Sequence, residues 1–179
     1  PLCIPEIGKG RDITAKATVD ALKEVAKEIA AIKPDTIVFM SPHSEAYNDY
    51  FSIADGEVGQ GSFAPYGLPG LEFRLFYDKD LVKEICLKAK SEDVSAGTMA
   101  DNEQYIDHGT LVPLYFINHE YRDFKAVRLG LSGLSFLEHY RYGELLGEVL
   151  NASSKRIVVI ASGDLSHCQR NDGPYGYRQ

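Results

Sequence analysis

Five histidines are the side chains of this chain best suited to move protons near neutral pH or to bind a transition metal, because imidazole titrates in that range and carries a nitrogen lone pair. Three of them mark the ends of apolar runs. His43 follows "TIVFM" in the stretch "SPHSEAY", His108 opens "DHGTLVPLYFI", and His167 closes "RIVVIASGDLSH". Pro42 restricts the backbone in front of His43 and so presents it rigidly. Asp107 before His108 reads as a helix cap, and Asp164, three residues before His167, could fix that ring's tautomer. Taken singly, each of the three can equally be a loop or helix-end histidine whose ring bonds the backbone. Three at element termini in one domain point to a shared site, with His167 read as a general base or a metal ligand. His119 in "NHEYRD" and His139 in "EHYRYGE" lie in polar surroundings and read as surface residues.

Several other chemistries are excluded. Neither HExxH nor GxSxG occurs, which removes the commonest zinc-protease and α/β-hydrolase signatures. "GQGSFA" has phosphate-loop spacing, but "PYGLPG" follows it and cannot open a helix, so dinucleotide binding is discarded. Ser166 and His167 are adjacent and do not aim at each other as nucleophile and base. "GPYGY" (173–177) reads as a surface loop that could wall a pocket for an aromatic ligand. An aromatic acid would need a local cation, and Arg74, Arg128 and Arg170 are the arginines that could face such a cleft.

The elements that must position these residues follow from periodicity. Val19, Leu22, Val25, Ala26, Ile29 and Ile32 recur at helical steps over 14–33, and Pro34 stops that helix. Strands are predicted at 36–40, 50–55, 71–77, 125–131 and 156–162, the last as a run suited to burial on both faces. Helices are predicted at 79–90 and 135–150, and 107–117 reads as a buried helix with Pro113 near its first turn, or as a strand. The Gly-rich stretch 55–70 reads as a long loop. Strands alternating with helices predict a three-layer α/β/α fold with a mostly parallel central sheet. Ligands of such sheets bind outside the carboxyl ends of the strands, where His43 and His167 both fall.

The 179 residues are read as a single domain, with 44% apolar and 25% charged residues. The net charge of -7 and the absence of a basic stripe argue against nucleic acid and favour small-molecule chemistry. No apolar run approaches the roughly 20 residues that span a bilayer. Cys3, Cys86 and Cys168 form no CxxC pair, so neither a disulfide framework nor a zinc knuckle is suggested. A reducing, cytoplasmic setting is expected, and no secretory signal is visible.

"SPHSEAY", "DHGTLVPLYFI" and "IASGDLSH" with "DGPYGY", in this order and spacing, resemble the class III extradiol ring-cleavage dioxygenases of the protocatechuate dioxygenase catalytic-subunit type. The likeness covers most of the chain and is closest to the Memo-like, AMMECR1-associated branch. It implies a non-haem Fe(II) enzyme that opens a catechol-type aromatic ring with dioxygen, with Zn(II) as the alternative metal. On this likeness His43 is a metal ligand, His167 the acid/base, and His108 a hydrogen-bonding group for substrate or oxygen. The two remaining ligands, a histidine and a glutamate, are expected outside residues 1–179, so that this stretch is a domain lacking its extreme N-terminus and its C-terminal part. Expected partners are a small aromatic diol and dioxygen, an AMMECR1-type domain, and further copies in a homo-oligomer. The rival readings are a Memo-like non-catalytic scaffold and a metal-dependent hydrolase.

Overall fold

The computed structural model describes residues 1–179 except 11–14, 100–104, 164–165, 169–170, 174 and 179. In chain order the elements are α1 (Pro5–Gly8), α2 (Lys16–Ile32), β1 (Thr36–Ser41), β2 (Phe51–Ile53), β3 (Val58–Phe63), β4 (Leu68–Phe76), α3 (Lys79–Ser91), β5 (Ala96–Thr98), α4 (His108–Glu120), β6 (Lys125–Gly130), α5 (Phe136–Ala152) and β7 (Ile157–Ala161), with a short 3-10 turn at Ala64–Tyr66.

Five strands form one sheet in the order β5-β2-β6-β1-β7. β1 pairs in parallel with β6 and with β7, and β5 with β2; only the β2–β6 pairing, through Ile53 and Leu129, is antiparallel. The carboxyl ends of β1, β6 and β7 therefore share one edge of the sheet.

Side chains alternate across a strand, and the two faces acquire separate cores. Ile37 and Phe39 of β1 and Ala126 of β6 pack with α2 and α4 on one face. Val38, Val127 and Leu129 pack with α3 and α5 on the other. The result is the expected three-layer α/β/α arrangement around a mostly parallel sheet. Residues 107–117 resolve as helix: α4 buries Leu111, Leu114, Phe116 and Ile117, and Asp107 caps it by accepting the Thr110 N–H. Pro113 falls in its second turn rather than its first.

Three expectations are corrected. The Gly-rich stretch is not a loop: β3 and β4 form an antiparallel ribbon from Val58–Phe76 onward. Its glycines serve close approach, since a Cβ at Gly61 would lie 2.7 Å from the Ile106 carbonyl oxygen and one at Gly59 would lie 3.0 Å from Tyr77 Cζ. β5 was not expected, because three residues carry no readable period. β7 is apolar throughout yet lies at the sheet edge among the described residues, with Val159 half exposed instead of buried on both faces.

Candidate active site

The site grows from the end of β1. After Ser41 the chain leaves the sheet through Pro42 and His43, and on the neighbouring strand the Ser162 N–H still donates to the Met40 carbonyl at 2.9 Å. A Cβ at Gly163 would stand 4.0 Å from Pro42 Cγ, so the loops after β1 and β7 adjoin. α4 begins beside them, its approach fixed where the Ile106 N–H donates to Gln60 of β3 at 2.8 Å.

This arrangement brings His43 and His108 together, with ring centroids 4.0 Å apart and planes tilted by 38°. Tyr66, on the turn at the tip of the β3–β4 ribbon, meets His108 edge-on at 5.8 Å. His43 is exposed and His108 half-buried. Burial, then the neighbouring His43 ring, push the His108 pKa below the ordinary imidazole value against the pull of Asp107. Among the described residues no hydrogen bond engages the ring nitrogens of either histidine.

His167 lies exposed in the adjoining loop, and its ring neighbour is Tyr175 of the "GPYGY" stretch, edge-on at 5.4 Å. Among the described residues its ring makes no stacking contact with His43 or His108. Asp164, the expected tautomer partner, and Arg170 lie outside the described residues. His119 is exposed at the end of α4, as expected of a surface residue. His139 is half-buried and edge-on to Phe51 at 4.7 Å, which makes it a packing residue rather than a free surface one.

Beneath the two rings sits a polar cluster that periodicity does not reveal. The buried Asp107 carboxylate accepts from Ser41 Oγ at 2.6 Å, Ser44 Oγ and Thr110 Oγ1 at 3.0 Å, the Thr110 N–H at 3.1 Å and Arg128 Nη2 at 3.2 Å. Burial alone would raise its pKa, but Ser41, Arg128, Ser44 and Thr110 outweigh that and hold it below the usual carboxylate range. Arg128 is 2% exposed and also donates to the Tyr77 hydroxyl at 3.0 Å, so it braces the site from below. Arg74 is exposed on β4. The legible signal was an arginine inside the apolar strand "KAVRLGL", since a guanidinium buried there must find a carboxylate.

An exposed imidazole with unengaged nitrogens, as His43 presents, suits a divalent metal of the histidine-and-carboxylate type. Among the described residues no three His, Cys, Asp or Glu side chains converge, so they provide only part of such a donor set.

Fold and site together define a three-layer α/β domain that carries an imidazole pair outside the carboxyl ends of parallel strands. The family model described as the catalytic LigB subunit of aromatic ring-opening dioxygenase matches residues 1–179. The chain belongs to this family. It is 36% identical over 185 residues to Protein CA_C1420 of Clostridium acetobutylicum, a match covering 99% of this chain and 39% of that protein. It is 23% identical over 158 residues to a 3,4-dihydroxyphenylacetate 2,3-dioxygenase of Escherichia coli, covering 85% of this chain and 56% of that one. The chain thus spans about two fifths and just over half of these relatives.

Proposed function

We propose that this chain is part of an Fe(II)-dependent extradiol dioxygenase that opens a catechol-type ring with dioxygen. The observation that carries the reading is the meeting of His43 and His108 at the strand ends, in a chain matched throughout by a family of ring-opening dioxygenases. His43 would hold the metal through an unengaged ring nitrogen, together with a histidine and a glutamate from outside the described residues. Bound there, Fe(II) would supply Lewis-acidic chemistry for the reaction of the diol with dioxygen.

The chain's own residues do the rest. His108, half-buried and with unengaged ring nitrogens, is placed to hydrogen-bond substrate or oxygen. Tyr66 and the His108 ring form an aromatic wall suited to a flat substrate. His167 takes a hydroxyl proton from the diol and returns it as the ring opens, the work of a general acid/base. Tyr175 stands edge-on beside it.

Oxygen uptake by the full chain, reconstituted anaerobically with Fe(II) and offered a panel of catechols, tests the reading. Uptake that needs both iron and His167 is expected. No uptake with iron demonstrably bound would turn the site toward hydrolysis or a non-catalytic role.

A further inference from the structure

We propose that Asp107 is the positioning residue of this site, a single carboxylate that sets where both histidine rings stand, with Ser41 carrying its effect to His43. The proposal rests on the reading of His43 as a metal ligand and names what holds that ligand in place.

Capping α4 does not explain the surroundings of Asp107. A helix cap needs one acceptor for one backbone N–H, a task asparagine performs as well as aspartate. Here the Thr110 N–H is only one of five donors. Oδ1 also accepts from Ser41, while Oδ2 accepts from Ser44, Thr110 Oγ1 and Arg128. These donors come from β1, the loop after it, α4 and β6, so the carboxylate ties together four of the segments around the imidazole pair.

The connection to each histidine is short. On one side the His43 backbone N–H donates to Ser41 Oγ at 3.1 Å, and Ser41 Oγ donates to Asp107 at 2.6 Å. On the other side His108 is the next residue, in the turn that Asp107 caps. Gly109 lets the two segments close up: a Cβ there would collide with Ser41 Oγ and stand 3.3 Å from His43 Cδ2. The Ser41 bond is to the His43 backbone, so it fixes where the ring starts from, and loss of the groups that position a metal-ligating histidine weakens metal binding.

Ser41 and Ser44 separate positioning from bulk stability. Each donates one buried hydrogen bond to Asp107, but only Ser41 also accepts from His43. The test uses the full chain, with Zn(II) affinity by competition against a chromophoric chelator, amide exchange by mass spectrometry, and thermal melting. Asp107→Asn is expected to weaken Zn(II) binding by about 10- to 100-fold, with faster exchange at 43–45 and at 108–111. Ser41→Ala should weaken binding clearly more than Ser44→Ala, and speed exchange at the His43 amide, although both variants melt at similar temperatures.

Equal affinities for Ser41→Ala and Ser44→Ala would overturn the proposal even if Asp107→Asn fails to fold. Loss of binding in His43→Ala with unchanged binding in Asp107→Asn and Ser41→Ala sinks the positioning role alone. A His43→Ala chain that binds Zn(II) as tightly as the wild type sinks the ligand assignment and the positioning role with it.

Discussion

At the scale of single residues, the site tolerates almost no added volume. A methyl at Gly109 would lie 3.0 Å from Asp107 Oδ1 as well as against Ser41. Gly109→Ala is therefore expected to cost about 1–3 kcal/mol by overpacking, measured by urea unfolding, even though alanine is the better helix former. The histidines divide by task. His43→Ala should abolish metal retention, whereas His167→Ala should leave the metal in place and lower turnover by about 10²- to 10⁴-fold, the usual reach of a general acid/base. Metal analysis and single-turnover kinetics on the same samples distinguish the two. His108→Ala should slow turnover with the metal retained; unchanged kinetics would remove it from the site.

At the scale of elements, the end of the sheet opposite the histidines is pinned by a second buried carboxylate. Asp78 caps α3 through the Leu81 N–H at 3.2 Å, accepts from Thr36 Oγ1 of β1 at 2.6 Å, and pairs with Lys155, just before β7, at 2.7 Å. Burial pushes its pKa up, but Lys155, Thr36 and the Leu81 N–H together hold it below the ordinary value. A depressed folded pKa means that the ionised form stabilises the fold. That contribution is complete above the unfolded carboxylate value of about 3.9 and fades as pH falls through the folded one. Asp78→Asn should thus unfold at lower urea than the wild type at pH 7, and the gap should narrow as the pH falls below about 4. The helices and most strands were legible because their periods run for many residues. α4 was ambiguous between helix and strand because it is apolar on nearly every side, and its cap decided it. The β3–β4 ribbon was hidden because its glycines resemble loop glycines in sequence and reveal their purpose only against Tyr77 and Ile106.

At the scale of the whole molecule, metal binding and folding should be linked. A ligand that binds only the folded state stabilises it by about 2.7 kcal/mol at a hundredfold excess over its Kd, which for a domain of this size raises Tm by roughly 5–10 °C. Zn(II) or anaerobic Fe(II) should produce such a shift in the full chain, and His43→Ala should remove it. No described helix is long and apolar enough to cross a membrane.

Sequence alone determined the layered α/β class and the strand-end placement of His43, because both follow from local periodicity and from the rule that parallel sheets bind ligands at their carboxyl ends. It also carried the family, in the short motifs around His43, His108 and His167. Only the tertiary structure decided that the His43 and His108 rings touch, that Arg128 lies under the site instead of facing a substrate, and that Ser41, Ser44 and Arg128 converge on Asp107. The reason is physical. Periodicity reports which face of an element is buried, whereas a hydrogen-bonded cluster depends on the register between strands and on how a helix end docks against them, and those are set by the packing of the whole chain.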